Sequence, residues 1–448
     1  MNKSTSRKKP AGLDQALRAA MTLHQGGQLA QAEQAYRTIL AIAPRHPDLL
    51  HYLGVALHQQ GKRDEALGLI ARALALAPGY IDARNNLGNV QKEMGLLAEA
   101  EQSYRAVLAA RPDYALAHNN LGIVLKEQGR HAEAVAAYRQ CLVLRPDYAD
   151  GWINLGNALK KCGDLQETMT AYRQAIMLAP QSREAHRNLG RALGASGRHA
   201  EALDVYRQWL VVDPGNPVVE HMIAACAGAA APERASDAFL QQTFDGFAAS
   251  FDEVLTRLDY RAPALCGQMV QALLGAPPGE GARLAVLDAG CGTGLCAPHL
   301  KPYARQLIGV DLSPGMLAKA ALRGDYDVLE AAELTAWLDA NARAYDLIVS
   351  ADTLCYFGIL DAVFAAAAKA LRHGGHLVFT VEQTVDEAAS PSFLLHPHGR
   401  YSHARTYVEQ GLLAAGLKVI KIEMVTLRKE ADKPVVGLLV GARRPLSA

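Results

Sequence analysis

Residues Asn85-Asn-Leu-Gly-Asn-Val-Gln-Lys-Glu-Met-Gly95 and Asn119-Asn-Leu-Gly-Ile-Val-Leu-Lys-Glu-Gln-Gly129 are one phrase written twice, 34 positions apart (95 to 129). Outward from them, the closing glycine recurs at Gly27, Gly61, Gly163 and Gly197. A proline keeps the same step at Pro44, Pro78, Pro112, Pro146, Pro180 and Pro214. Leu-Gly pairs end in Gly54, Gly88, Gly122, Gly156 and Gly190. Tyrosines follow at Tyr36, Tyr104, Tyr138, Tyr172 and Tyr206, with Ile70 filling the gap. A fixed period of this kind marks stacked supersecondary units rather than one globular core. The Leu-Gly glycine lets two helices approach, the later glycine suits a turn that needs positive φ, and the proline ends the second helix. Small residues at Ala32, Ala66, Ala100, Ala134 and Ala202 suit a tight helix crossing. The pattern predicts alternating helices of about a dozen residues, each unit burying one face on the next.

These residues resemble the tetratricopeptide repeat, with six units over residues 13–216. The first unit carries Ala20 where later ones carry glycine, as a capping repeat does. A second series, Asn86, Asn120, Asn154 and Asn188 with Tyr52 in the second unit, stands two residues before the repeat glycines. The resemblance puts this series on a concave face. An asparagine amide both donates and accepts, so a row of them suits an extended peptide backbone whatever its side chains. The two quoted phrases are similar to repeats of O-linked N-acetylglucosamine transferase, whose asparagine ladder holds protein substrates. That implies a protein or peptide in the groove; no glycosyltransferase domain follows. The competing reading is that the amides cap or bridge neighbouring helices. Lys92, Lys126 and Lys160 either charge the groove or are solvated helix surface.

Repeat phase ends after Pro214-Gly-Asn-Pro217, and an alanine-rich stretch, 224–232, reads as a connector or a last capping helix. Phe244, Phe247, Phe251, Val254 and Leu255 then fall at helical spacing. They form an amphipathic helix packed on the next domain, a lid over an active site, or both.

A new composition starts at Pro277-Pro-Gly279. The apolar run Leu284-Ala-Val-Leu-Asp288 reads as a buried parallel strand feeding Ala289-Gly-Cys-Gly-Thr-Gly294, with a helix from about Cys296. Glycines at such a turn remove side chains where backbone approaches a ligand. No lysine follows, so a phosphate-binding P-loop is excluded. The spacing G-x-G-x-G, with Asp288 closing the strand, argues against a dinucleotide fingerprint. A second strand ends in Asp311, placed to accept from ribose hydroxyls. The segments V-L-D-A-G-C-G-T-G and G-V-D-L-S-P-G-M-L resemble the class I S-adenosylmethionine-dependent methyltransferases over about 280–448. The resemblance implies a Rossmann-like α/β domain with a seven-stranded, mostly parallel sheet, closed by an antiparallel pair near 418–428 and 435–443. It implies S-adenosylmethionine as cofactor, bound by Asp288, Gly290, Cys291, Gly292, Gly294, Asp311 and Leu312, with Glu330 on the adenine amine. The whole chain is similar to predicted bacterial methyltransferases that carry tetratricopeptide repeats.

Catalytic candidates come from strand ends: Asp352, Thr353 and Tyr356 after the fourth strand, and His396, His398, Tyr401 and His403 in a polar loop before the Tyr407 helix. Of these, Asp352, Tyr356, Tyr401 and His403 are the expected set. Three histidines without a carboxylate make a thin metal site, so no metal is expected. The expected organisation is a disordered basic tail (1–12), repeats (13–216), a helical connector and lid (217–276) and the methyltransferase domain (277–448).

A net charge of +1 argues against a dedicated nucleic-acid binder, and 50% hydrophobic content against global disorder. The seven cysteines are scattered without a C-x-x-C pair, as free thiols in a reducing compartment would be. No 18-residue apolar run and no secretory h-region is present, so a cytoplasmic protein without a membrane is expected. Two functional readings follow. One is methylation of a protein recruited by the groove. The other is methylation of a small carboxylate, amine or carrier-bound acyl group, with the repeats used for docking or a homodimer.

Overall fold

The computed structural model describes residues 12–227, 231–277, 284–384, 392–430 and 433–446. The basic tail before Gly12, Gly228–Ala230 of the alanine-rich stretch, and Pro278 and Gly279 lie outside them. The chain forms two compact units, one running to Ala192 and the other starting at Leu193.

The first unit is helical. Its pairs are α1 (Leu13–Gln25) with α2 (Leu29–Ile42), α3 (Pro47–Gln59) with α4 (Arg63–Leu76), and α5 (Ile81–Glu93) with α6 (Leu97–Ala110). They continue with α7 (Ala115–Glu127) and α8 (His131–Leu144), then α9 (Ala149–Cys162) and α10 (Leu165–Leu178). The six turn glycines have φ between 75° and 84°, the left-handed backbone that only glycine adopts cheaply. Gly122 shows why the Leu-Gly pair is there: a Cβ would stand 2.6 Å from the Tyr138 ring. The ring lies on the bare backbone and is fully buried, as are Tyr104 and Tyr172 in their repeats.

Helix α11 (Arg183–Ala195) runs across the boundary. In the second unit come α12 (His199–Val212), α13 (Pro217–Ala227), α14 (Asp237–Phe247), α15 (Phe251–Arg257) and α16 (Ala262–Leu274). The phenylalanine segment is thus two helices, not one. The sheet strands are β1 (Leu284–Ala289), β2 (Ala304–Asp311), β3 (Val328–Ala331), β4 (Tyr345–Ser350), β5 (Leu371–Gln383), β6 (Phe393–Leu395), β7 (Tyr401–His403), β8 (Lys418–Glu430) and β9 (Lys433–Arg443). Strands β3-β2-β1-β4-β5 are parallel in that order. β9 joins β5 antiparallel, and β8 closes on β9. Helices α17 (Ala297–Leu300), α18 (Pro314–Ala321), α19 (Leu334–Ala340), α20 (Asp361–Ala370) and α21 (Arg405–Ala414) link them. Neighbouring strand residues enter opposite cores, Leu287 and Ile348 one, Val286 and Leu347 the other, so both faces are covered.

Two expectations need correcting. The sheet has nine strands among the described residues, not seven. β6 and β7 form a hairpin where a loop was expected, and Ser402 and His403 pair with Glu382 and Gln383 at the end of β5. Three-residue strands are too short to leave a period in the sequence. The helix expected from about Cys296 is present as the short α17, followed by a 3-10 turn over Lys301–Tyr303 that contains Pro302.

Candidate active site

A cavity of about 210 Å³ opens where β1, β2 and β4 end, beside the point where the strand order reverses. Its floor is the glycine turn. Gly290 has φ 76°, and a Cβ there would stand 2.2 Å from Thr353 Oγ1. The Asp311 carboxylate accepts from the backbone N–H of Gly292 (2.9 Å) and of Ser313 (2.8 Å), which fixes both oxygens. Burial raises its pKa. Cys291, Leu312 and Met316 also line the cavity.

Asp288 and Gly294 lie beneath the wall rather than in it. Asp288 accepts from the Tyr326 hydroxyl at 2.5 Å, and burial pushes its carboxyl up to about 7. Gly294 packs on Tyr326 and Arg323. Glu330 is exposed on β3 and outside the cavity wall. Glu333 stands there instead, because β3 ends at Ala331 and the wall continues through Ala332–Leu334. Glu333 Oε2 caps α19 on the Ala336 N–H (2.8 Å), while Oε1 is buried without a partner among the described residues.

The opposite wall is aromatic. Phe247 and Phe251 meet edge to face at 5.3 Å, and Phe244 meets Tyr356 at 5.4 Å; Val254, Leu255 and Leu258 continue the surface. Two aspartates that sequence reasoning missed hold this wall down. Asp245 accepts from Ser313 Oγ (2.5 Å) and the Gly315 N–H (3.0 Å). Asp252 accepts from Thr293 Oγ1 (2.5 Å) and from Arg323 (2.6 Å). Each follows a wall phenylalanine, Phe244 or Phe251, and that repeated Phe-Asp pair was the available signal.

The far end is charged. Arg428, 3% exposed, donates to Asp352 Oδ2 (2.6 Å), to Glu430 (2.8 Å) and to Glu382. Arg400 donates to Glu382 (2.6 Å) and Glu430 (2.5 Å). Burial pushes Glu382 up, but Arg400 and Arg428 outweigh it and hold the carboxyl at about 2. Asp352, Cys355 and Glu382 are close enough to share a metal ion, yet the Arg428 guanidinium already bonds both carboxylates. None of Glu382, Arg400, Arg428 and Glu430 belonged to the expected set. Only the sheet register brings β5, the hairpin turn and β8 to one place.

Tyr401 and His403 are corrections of another kind. Both are fully buried and outside the cavity wall: the Tyr401 hydroxyl donates to Pro232 O (2.9 Å), and His403 Nε2 bonds Gly358 O (3.1 Å). They sit in β7, where strand pairing turns their neighbour Arg400 to the cavity instead. His396 bonds Ser402 Oγ (2.7 Å) and stacks on His398. The connector completes the wall. The Ala235 N–H bonds Tyr356 O (2.8 Å), Glu233 O accepts from Gly358 and Ile359, and Arg234 lines the cavity.

Residues 287–379 match the sequence profile of a methyltransferase domain, and 23–74, 85–149 and 153–217 match tetratricopeptide repeats. Methyltransferase-like protein 27 of Homo sapiens is 44% identical over 87 residues, 19% of this chain and 34% of its own. Malonyl-[acyl-carrier protein] O-methyltransferase of Hahella chejuensis is 36% identical over 104 residues, 22% of this chain and 37% of its own. The chain thus spans about a third of the length of these two. Ubiquinone biosynthesis O-methyltransferase of Idiomarina loihiensis is 30% identical over 172 residues, 35% of this chain and 69% of its own. The chain belongs to the methyltransferase family. In this methyltransferase, among the described residues, no helix is long and apolar enough to cross a membrane.

The methyltransferase's repeats carry their asparagines as a ladder. The Asn120 amide donates to Asn89 of the preceding repeat (3.0 Å), Asn154 to Asn119 (3.1 Å) and Asn188 to Asn157 (3.2 Å), while Asn86 meets His51 at 2.8 Å. Asn89 and Asn157 also accept from the buried hydroxyls of Tyr104 and Tyr172, each at 2.7 Å. The amides therefore bridge helices, the competing reading of the sequence. All four are half-buried, and an amide has a second N–H to offer.

Proposed function

We propose that this methyltransferase uses S-adenosylmethionine, acts on a small and largely apolar acceptor, and recruits a protein partner through its repeats. The observation that carries the reading is the wall of Phe244, Phe247, Phe251, Val254, Leu255 and Leu258 facing the glycine turn and Asp311 across one cavity. Such a chamber suits a small acceptor better than a folded protein surface.

The residues present fit the cofactor. Gly290 and Gly292 leave bare backbone at the floor. Asp311, held by two N–H groups, keeps lone pairs for a ribose diol. Leu312 and Met316 offer apolar surface for adenine, and Glu333 Oε1 is an acceptor without a donor among the described residues. When bound, S-adenosylmethionine supplies a methyl group on a positively charged sulfur. The chain then has to orient the acceptor and exclude water, which is where aromatic walls contribute. Two of the relatives are named for O-methyl transfer, which supports an oxygen acceptor. Recruitment of a protein or peptide is supported by the in-phase asparagines Asn86, Asn120, Asn154 and Asn188.

Calorimetry on the full chain tests this. S-adenosylmethionine should bind the wild type and bind Asp311→Ala at least about tenfold more weakly, the loss of about 1.4 kcal/mol. Absence of binding by the wild type would overturn the reading.

A further inference from the structure

Asp352 is the most unusual residue of the second unit. It follows β4 with φ 56°, left-handed backbone that strains a non-glycine residue. Its N–H is tied to Thr380 Oγ1 (2.8 Å) and its Oδ2 to Arg428 (2.6 Å). Its Oδ1 is shut off from solvent and has no partner among the described residues, although Asp352 lines the cavity. An orphaned buried acceptor is destabilising until a donor meets it. Strain and an unpaired oxygen thus coincide on one residue of the chamber.

The surrounding charges point the same way. Asp352, Glu382 and Glu430 face two guanidiniums, Arg400 and Arg428. Arg234 is already paired with Asp237 at 2.5 Å. Burial holds His398, beside Glu382, neutral near pH 7, its pKa lowered to about 4. With all five groups ionised the cluster carries one negative charge in excess, and burial raises the Asp352 carboxyl's pKa. An anionic acceptor would add a second to a partly desolvated site, whereas a donor would satisfy Oδ1. A cationic amine would have to compete with Arg400 and Arg428 for carboxylates that they already hold. The rings of Phe244, Phe247, Phe251, Tyr260 and Tyr356 line the rest of the space.

We propose, resting on the small-acceptor reading above, that the acceptor is a hydroxyl on an aromatic body, donating its O–H to Asp352 Oδ1, and not a carboxylate. In the transfer the hydroxyl proton passes to Asp352 Oδ1 and an oxygen lone pair forms the new O–CH₃ bond. The bond from that methyl to the sulfonium donor breaks, and its electron pair stays on sulfur, cancelling the positive charge. Asp352 then acts as the base, and Arg428 and Thr380 are positioning residues that leave one oxygen free.

The test is a binding series on the full chain, read by calorimetry with 2-naphthol, 2-naphthylmethylamine, 2-naphthoate and naphthalene. 2-Naphthol should bind best, with each of the others at least about tenfold weaker. Asp352→Asn should lower the preference of 2-naphthol over naphthalene about tenfold and leave S-adenosylmethionine affinity unchanged. Equal or tighter binding of the naphthoate or the amine would overturn the assignment, as would no binding by any of the four. The wild-type ranking needs no variant, so a misfolded Asp352→Asn does not rescue the idea. S-adenosylmethionine binding in the same protein separates the two readings. Cofactor bound without hydroxyl preference sinks only this inference, and no cofactor binding sinks the function proposed above.

Discussion

The repeats and the cavity use their buried polar groups differently. In the repeats, Tyr104 and Tyr172 each find an asparagine oxygen, and each ladder amide reaches back one repeat. At the cavity, Asp352 and Glu333 each keep an oxygen without a partner among the described residues, and Asp352 does so on a left-handed backbone. One region spreads its stability over many small, similar contacts. The other concentrates opposing charges on a few residues and leaves acceptors open where a ligand would lie. Departures from local consistency are expected at functional sites, and two cavity-lining carboxylates carry such departures here.

The largest expected effect breaks the charged end. Arg428→Ala strands Asp352 and Glu382 without the guanidinium that bonds both. Removing one partner of a buried ion pair costs about 3–5 kcal/mol. Differential scanning calorimetry should show the second unit melting at a clearly lower temperature, with the first unit's transition in place. A loss below about 1 kcal/mol would mean the carboxylates relax into water. The contrast with the repeats would then fail.

The next effect falls in the repeats. A Cβ at Gly122 would stand 2.6 Å from Cε1 of the buried Tyr138 ring. Gly122→Ala should therefore cost about 1–3 kcal/mol by overpacking, read from urea unfolding of the full chain. Gly68→Ala is the control: nothing lies within 4 Å of its Cβ, and it sits inside α4. Replacing glycine by alanine inside a helix should stabilise by about 0.5–1 kcal/mol. Equal losses at the two positions would show that helix crossing does not depend on the bare glycine.

The same contrast explains what was legible in the sequence. The repeat is a local device, so glycine, proline and tyrosine spacing carried the helix pairs directly, down to the positive φ of Gly61 and its equivalents. The turn after β1 and Asp311 were legible for the same reason: strand, turn and acid are close in the chain. The charged end was not. Glu382, Arg400 and Arg428 lie on β5, the hairpin turn and β8, and nothing local says that an arginine inside β8 faces two carboxylates. Tyr401 and His403 misled because a polar motif reads as chemistry, while pairing with β5 buried both and put Arg400 on the cavity instead. Glu330 and Glu333 differ by three residues, and only the end of β3 decides between them.

The smallest effect sharpens the comparison from within the repeats. The fourth repeat has Ile123 where its neighbours have Asn89 and Asn157. There the Tyr138 hydroxyl is buried without a partner among the described residues, and Asn154 donates to Asn119. The Tyr138 hydroxyl is thus a flaw of the cavity's kind inside the repeat scaffold, with no ligand to excuse it. An amide at this position would accept from Tyr138, as Asn89 does from Tyr104 at 2.7 Å. Ile123 is only partly buried, so the apolar area given up is modest. Satisfying an orphaned hydroxyl recovers about 1 kcal/mol or more, and the net expectation for Ile123→Asn is a gain of about 0.5 kcal/mol in urea unfolding. The reverse change, Asn89→Ile, removes the acceptor of both Tyr104 and Asn120 and should cost about 1–2 kcal/mol. If Ile123→Asn destabilises as much as Asn89→Ile does, the ladder is a record of repeat duplication. It would then hold the repeats together no better than apolar packing does.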